Sequence, residues 1–395
     1  MILPFILISV IIYTMVDNVD EVVRLTKKLV DIQSEIPKQG EESKEVEKVM
    51  AETVTKYLSD AGIIAEMLKV EEGRFNVISE IGPGDKLMIN GHMDTVPMTD
   101  ALQWRYGYKS HMVNGKIYGL GASDMKGGLA AMLVALSRIN LKNMKRGLLL
   151  TFVADEEGDF KGSKWLFENK PNIFKDVKYG IIGEATDMRI QTEQKGLLDI
   201  TITFNGKSAH ASTPEDGDNA ISKAARFVSY LEDFKKNIKG KSFLSGGNTI
   251  NVGTISGGMS HNTVPDKCVV GIDIRTSHAF NANMAVTMIN GLLREARLRR
   301  RVETNVTINH SKNSFKLDEN TEIVKLLKKA TGNKKCICGS GYTEAELYYS
   351  KAGIKCAVFG PGSKKAIHRP NEYVKIDNLK KAENIYQKIM SEWCL

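Results

Sequence analysis

Apolar residues recur along this chain in three patterns, and each predicts a different element. From Val19 to Ile32 they return every three or four positions, which predicts a helix. Glu42 to Ala61 repeats the pattern, with Val46, Val49, Met50, Val54, Tyr57 and Leu58 on one face. Asn76 to Ile81 and Lys86 to Asn90 are short strand-like runs. Gly147 to Ala154 is apolar without a break, the mark of a central strand buried on both faces. Tyr179 to Gly183 is a second such run, and Gly127 to Ile139, ahead of both, is an Ala, Leu and Met-rich helix. Strands alternating with helices predict an α/β domain around a mostly parallel central sheet.

Near Gln191 the period changes. Leu197 to Phe204 alternates apolar and polar residues, as in a sheet with one wet face. A helix is expected at Asn219 to Asn237, strands at Thr249 to Ser256 and Val269 to Arg275, a helix at Asn281 to Leu298 and a strand at Glu303 to Asn309. The order β-α-β-β-α-β is ferredoxin-like. Glu322 to Ala330 (helix), Lys355 to Phe359 (strand) and Leu379 to Trp393 (helix) then resume the first pattern. The expected organisation is a first domain over residues 15–192, an inserted domain over 193–308, and the first domain resumed over 309–395.

Met1 to Thr14 stands apart. Its 14 mostly apolar positions fall short of the roughly 20 that span a bilayer, and no basic region or cleavage site accompanies them. An upstream start assignment, with Met15 as the working start, explains the stretch better than a membrane anchor. Lys and Arg number 55 against 47 Asp and Glu, an excess of eight that is spread along the chain. The densest basic run, Arg297 to Arg301, has no interleaved aromatics and reads as a solvated helix end, so no nucleic-acid partner is expected. Five cysteines, an odd number without a CxxC pair, suit a reducing, cytoplasmic compartment. Cys336 and Cys338 read as small residues on one strand face.

The chemistry lies just beyond the apolar strands. Lys86 to Asn90 runs into Gly91-His92-Met93-Asp94, the apolar run ending at Ala154 into Asp155-Glu156-Glu157-Gly158, and the run ending at Gly183 into Glu184. Lys355 to Gly360 leads through a Pro/Gly loop to His368-Arg369-Pro370-Asn371-Glu372, and Asp124 stands just before a helix. Open α/β sheets build their sites at the carboxyl ends of strands, so these motifs are expected in one cleft. A mixed His/carboxylate set without thiolates suits zinc, and manganese or cobalt less firmly. His92, Asp124, Glu157, Glu184 and His368 are too many ligands for one catalytic zinc, but they serve two Zn²⁺ ions if Asp124 bridges. Asp94 can accept the second imidazole N–H of His92, and Glu156 is left as the general base.

The ordered motifs resemble the dizinc metallohydrolase family of acetylornithine deacetylase, succinyl-diaminopimelate desuccinylase, aminoacylase-1 and carboxypeptidase G. The residues that carry the resemblance are GHMDTVP (91–97), YGLGASDMKGG (118–128), ADEEG (154–158), GEAT (183–186), GKSAHASTP (206–214) and FGPG…HRPNE (359–372). The likeness covers Met15 to Trp393; GEAT replaces the commoner GEPT but keeps Glu184. It implies one metal on His92, Asp124 and Glu184 and another on Asp124, Glu157 and His368. Glu156 matches the family's base and Asp94 its histidine orienter. It also implies that the inserted domain is a lid, often the homodimer interface, whose His210 stabilises an oxyanion in the partner's site. Arg275 matches an arginine for the substrate α-carboxylate, Asn262 a substrate contact, and Thr343 part of a substrate-binding turn. Alone, His210 and Asn262 read as turn residues and Arg275 as an edge salt bridge. The expected activity is hydrolysis of an N-acyl amino acid, of the acetylornithine deacetylase or succinyl-diaminopimelate desuccinylase type, with a broad aminoacylase or a metallo-carboxypeptidase or dipeptidase as the alternative.

Overall fold

The computed structural model describes residues 20–37, 46–98, 101–107, 109–235, 247–297, 304–339 and 341–395. The Met1–Thr14 stretch, the start of the helix expected from Glu42, and residues 298–301 of the basic run lie outside them. The chain forms two compact units. One comprises residues 1–191, 317–336 and 343–395, the other residues 192–316 and 337–342.

In the first unit the unbroken apolar run becomes the strand Gly147–Val153, buried at every position. It pairs in parallel with Lys86–His92, which pairs in parallel with Val177–Ile182, which pairs in parallel with Lys355–Val358. Antiparallel strands Arg74–Ile81 and Glu66–Glu71 extend one edge. On the other side Val358 forms a single antiparallel pair with Gln191. All four parallel strands therefore point the same way, and their carboxyl ends lie side by side.

The helix Gly127–Ser137 is buried all round except at its last residue, because it packs between the strand Lys86–His92 and the helices Glu21–Val30 and Ile376–Cys394. Gly128 makes this seat possible. A Cβ there would stand 2.2 Å from the Gly183 carbonyl oxygen, so a side chain would lift the helix off the end of the strand that precedes Glu184. Elements without a strong apolar period went unanticipated. Among them are the helices Lys161–Asn169 and Ala345–Ala352, with three buried residues each, the edge strand Glu66–Glu71, and a small sheet of His111–Val113, Lys116–Tyr118 and Tyr373–Lys375.

The second unit follows the alternating pattern. Gly196–Asn205 buries every other residue, and so does Lys267–Thr276 beside it. With Thr249–Gly257 and Thr304–Lys312 they form a four-stranded antiparallel sheet whose order is Thr249–Gly257, Lys267–Thr276, Gly196–Asn205, Thr304–Lys312. The inward residues Leu198, Ile200, Ile202, Val270, Ile272 and Ile274 meet Phe227, Leu231, Ile289 and Leu293 of the helices Ala220–Lys235 and Ala282–Arg297. The connectivity is the split βαβ arrangement.

Two glycines predict opposite outcomes. Gly128→Ala forces backbone apart and is expected to cost about 2 kcal/mol. Gly291, inside the helix Ala282–Arg297, has nothing within 4 Å of an added Cβ. Gly291→Ala is expected to stabilise by about 0.5–1 kcal/mol through helix propensity. Urea unfolding of both variants reads the two signs; a neutral Gly128→Ala would contradict the close seat.

Candidate metal centre

Four parallel strands and one helix start deliver the chemistry. His92 is the last residue of its strand, and Glu156 and Glu157 follow the strand Gly147–Val153. Glu184 follows Val177–Ile182, His368 lies in the loop after Lys355–Val358, and Asp124 sits three residues before the helix Gly127–Ser137. Asp124 stands at the middle. Its Oδ1 is 3.2 Å from His92 Nε2 and its Oδ2 is 3.2 Å from His368 Nε2. Glu184 Oε1 lies 3.4 Å from the first imidazole and Glu157 Oε1 2.9 Å from the second. Two donor trios result, His92–Asp124–Glu184 and Asp124–Glu157–His368, with Asp124 in both. In each, the ligand atoms lie within 4.8 Å of one another, as they must to share a cation. A third grouping, His92–Glu156–Glu157, shows how close Glu156 stands to the cluster. The five donors fit two divalent cations of the zinc type in number, chemistry and spacing. His92, Asp124, Glu156 and Glu184 are buried, whereas the His368 side chain is 49% exposed, so the centre opens on that side.

Crowded charge leaves its signature on proton affinity. Burial pushes the Glu184 carboxyl up to about 7, with the Asp124 charge adding to the effect. Glu156 rises well above the carboxylate range, through burial and then the charge of Glu184. Hydrogen bonds to Asp124 and Glu157 lift His368 to about 11. Burial works against a charged His92, but its bonds to Asp124, Asp94 and Glu184 outweigh that and raise it too. Burial opposes ionisation of Asp124 as well, yet the bonds to His368 and His92 hold it well below the usual range. The two imidazoles thus act as the cations of the protein chain itself. A divalent metal on the same atoms must displace those protons.

Backbone hydrogen bonds aim these side chains. The main-chain oxygen of Asp94 lies 3.0 Å from His92 Nδ1, nearer than its carboxylate at 3.5 Å. Donation from Nδ1 to that oxygen leaves Nε2 free to face the cluster. The Asp94 carboxylate accepts the Glu156 N–H at 3.1 Å and the Glu157 N–H at 3.0 Å. Glu372 does the same for Asp124. It accepts the N–H groups of Ser123 (2.7 Å), Asp124 (2.9 Å) and Gly121 (3.1 Å), while burial pushes its carboxyl up to about 8. Sequence reasoning noted Glu372 in its motif but gave it no task. Its one sequence signal was an acid four residues past a candidate ligand. Lys126 was missed altogether: fully buried, it donates to the Ile32 carbonyl at 2.6 Å, and burial lowers it to about 8.

Thr343, also in the first unit, is buried and accepts the Ala345 N–H at 3.4 Å. His210, Asn262 and Arg275 belong to the second unit. There His210 and Asn262 come together, because Ala211 N–H donates to the Asn262 carbonyl at 2.9 Å. His210 is exposed, and its Nδ1 lies 2.7 Å from Ser212 Oγ and 3.2 Å from the Ser212 N–H. Arg275 makes a two-pronged pair with Asp273, at 2.9 and 3.1 Å.

Comparison with known proteins gives a consistent set. The family model described as peptidase family M20/M25/M40 matches residues 88–392. An uncharacterized metallohydrolase of Methanocaldococcus jannaschii is 31% identical over 411 aligned positions, covering 95% of this chain and 100% of that protein. Acetylornithine deacetylase of Pasteurella multocida is 27% identical over 361 positions, covering 88% of this chain and 91% of the relative. The crystal structure of a tripeptidase from Staphylococcus aureus superposes with a TM-score of 0.76 at 22% identity, covering 95% of this chain and 98% of that one.

The raised proton affinities carry a pH prediction. Glu184, Glu372 and His368 all bind protons more tightly folded than unfolded. Stability from such groups is complete below the unfolded pKa and is lost as pH climbs through the folded one. Metal-free protein in EDTA is therefore expected to melt at a lower temperature at about pH 8 than at about pH 6, and added zinc to remove the difference. Calorimetric metal binding in buffers of different ionisation enthalpy should report proton release; none would contradict the assigned donor atoms.

Proposed function

The chain belongs to peptidase family M20/M25/M40 and is a metal-dependent hydrolase of amide bonds; from that premise we propose that it removes the acyl group from an N-acyl amino acid. The observation that carries the proposal is Asp124, whose two oxygens face two histidines beside a buried Glu156. The relative named acetylornithine deacetylase, matched over most of both chains, supports an N-acyl amino acid as the substrate class. The donor set supports zinc, with cobalt or manganese as substitutes.

Two bound cations would polarise the scissile carbonyl and acidify a water, supplying the electrophile and the nucleophile. Glu156 takes the proton from the attacking water, and its raised proton affinity lets it carry that proton to the leaving nitrogen. Asp94 keeps both the His92 ring and the Glu156 backbone still while this happens. His210 is proposed to donate to the developing oxyanion, Arg275 to take the substrate carboxylate, and Asn262 and Thr343 to contact the substrate. The second unit is proposed as a homodimerisation lid, on the strength of the family resemblance. A strictly monomeric enzyme at full turnover would remove that part of the reading. The five free cysteines support a cytoplasmic location, and no helix among the described residues is long and apolar enough to cross a membrane.

Amine release by zinc-loaded protein should be measured on N-acetylornithine, N-succinyl-diaminopimelate, N-acetyl-lysine, N-acetylmethionine and a set of di- and tripeptides. The expected result is one N-acyl amino acid far ahead of the rest. A peptide in front would move the enzyme among the peptidases on the same centre. Glu156→Gln is expected to keep its metal and lose about 10²–10⁴-fold in kcat. His210→Ala is expected to lose about 10²-fold in kcat. Full activity in Glu156→Gln would end the proposed mechanism.

A further inference from the structure

The turn that follows the strand Gly147–Val153 presents Glu156 and Glu157 together, and it does so through an unfavourable backbone. Asp155 has φ +60° and Phe160 φ +57°, both in the left-handed region that side chains avoid. Such a turn persists only where its surroundings over-determine it. Asp155 supplies much of the hold. Its Oδ2 accepts the N–H groups of Asp159 at 3.1 Å and Lys161 at 3.2 Å, and its carbonyl accepts that of Phe160 at 2.8 Å. Asn76 closes the base of the turn by accepting the Ala154 N–H at 3.1 Å and donating to the Gly162 carbonyl at 2.9 Å.

Behind Asp155 stands Arg74, on the first residue of the strand Arg74–Ile81. Its side chain is only 3% exposed, a rare degree of burial for an arginine. The guanidinium pairs with the Asp155 carboxylate, with Glu47 Oε1 at 3.1 Å and with Glu71 Oε1 at 2.9 Å. Asp155 and Glu47 are as deeply buried as Arg74, and Glu71 is half-buried. Burial pushes the Glu47 carboxyl up to about 9, with the charge of Asp94 adding to it. The planar guanidinium offers five N–H donors in a fixed fork, a geometry that the compact ammonium of a lysine does not reproduce.

We propose that Arg74 is a positioning residue for the metal centre, acting through Asp155 to aim Glu157 at one cation and Glu156 at the reacting water. The effect is one-sided. Glu157 belongs to the trio with Asp124 and His368, while the trio of His92, Asp124 and Glu184 takes no member from this turn. Arg74 therefore sets the affinity of one cation of the pair. The inference rests on the two-cation reading of the centre.

The test is stepwise titration of Zn²⁺ into metal-free full-length protein by calorimetry, with kcat and KM measured on the best substrate. Wild type is expected to take two equivalents. In Arg74→Lys and Asp155→Asn one affinity should fall about 10–100-fold, as losses of outer hydrogen-bond partners do, and the other stay within about twofold. The turnover number should fall while KM holds. Asp155→Asn keeps an oxygen for the Asp159 and Lys161 N–H groups, so it serves if Arg74→Lys does not fold. Glu71→Gln, at the exposed end of the same guanidinium, should leave both affinities unchanged. Equal losses at both cations, or no loss at either with wild type binding two, would overturn the role of Arg74 alone. Fewer than two equivalents in wild type would overturn the two-cation reading and this inference with it.

Discussion

The placement of one carboxylate governs the first unit. Asp124 must offer one oxygen to each of two imidazoles, His92 at the end of a central strand and His368 in a distant loop. Neither oxygen can be spared, because the two donor trios have no other member in common. A buried carboxylate between two further carboxylates is electrostatically unfavourable. In the chain itself the histidines offset it by holding protons, and the same positions suit divalent cations. The chemistry thus follows from a charge problem that the fold creates and a cation resolves.

Around that carboxylate the structure uses acids to hold backbone rather than to react. Asp94 accepts two N–H groups of the turn that bears Glu156 and Glu157, and Glu372 accepts three from the segment that bears Asp124. Each acid so used adds negative charge to a site already rich in it. The gain is geometric, since a side chain is only as well aimed as the peptide planes beneath it. Residues that touch no donor atom of the cluster therefore share in setting its geometry.

Much of the architecture was legible because burial imposes a period. A strand covered on both faces must be almost wholly apolar, as Gly147–Val153 is, with Thr151 its one polar side chain. A sheet with one covered face must alternate, as Gly196–Asn205 does. The helix Lys161–Asn169 and the edge strand Glu66–Glu71 gave no clear period because they bury few side chains. The expectation for Asp94 needed refinement as well: its main-chain oxygen lies nearer to His92 than its carboxylate does.

By itself the sequence determined which residue types stand just past the ends of buried strands, and hence which donors a cleft there would contain. The tertiary structure alone decided how those donors pair. Arg74 meets Asp155 across 81 residues of chain, and Ser123 meets Glu372 across 249. Periodicity reports only whether a face is covered. Which carboxylate accepts which N–H depends on the register of parallel strands and on the close seat of Gly127–Ser137 against the strand end before Glu184, and both arise only when the sheet and helices pack.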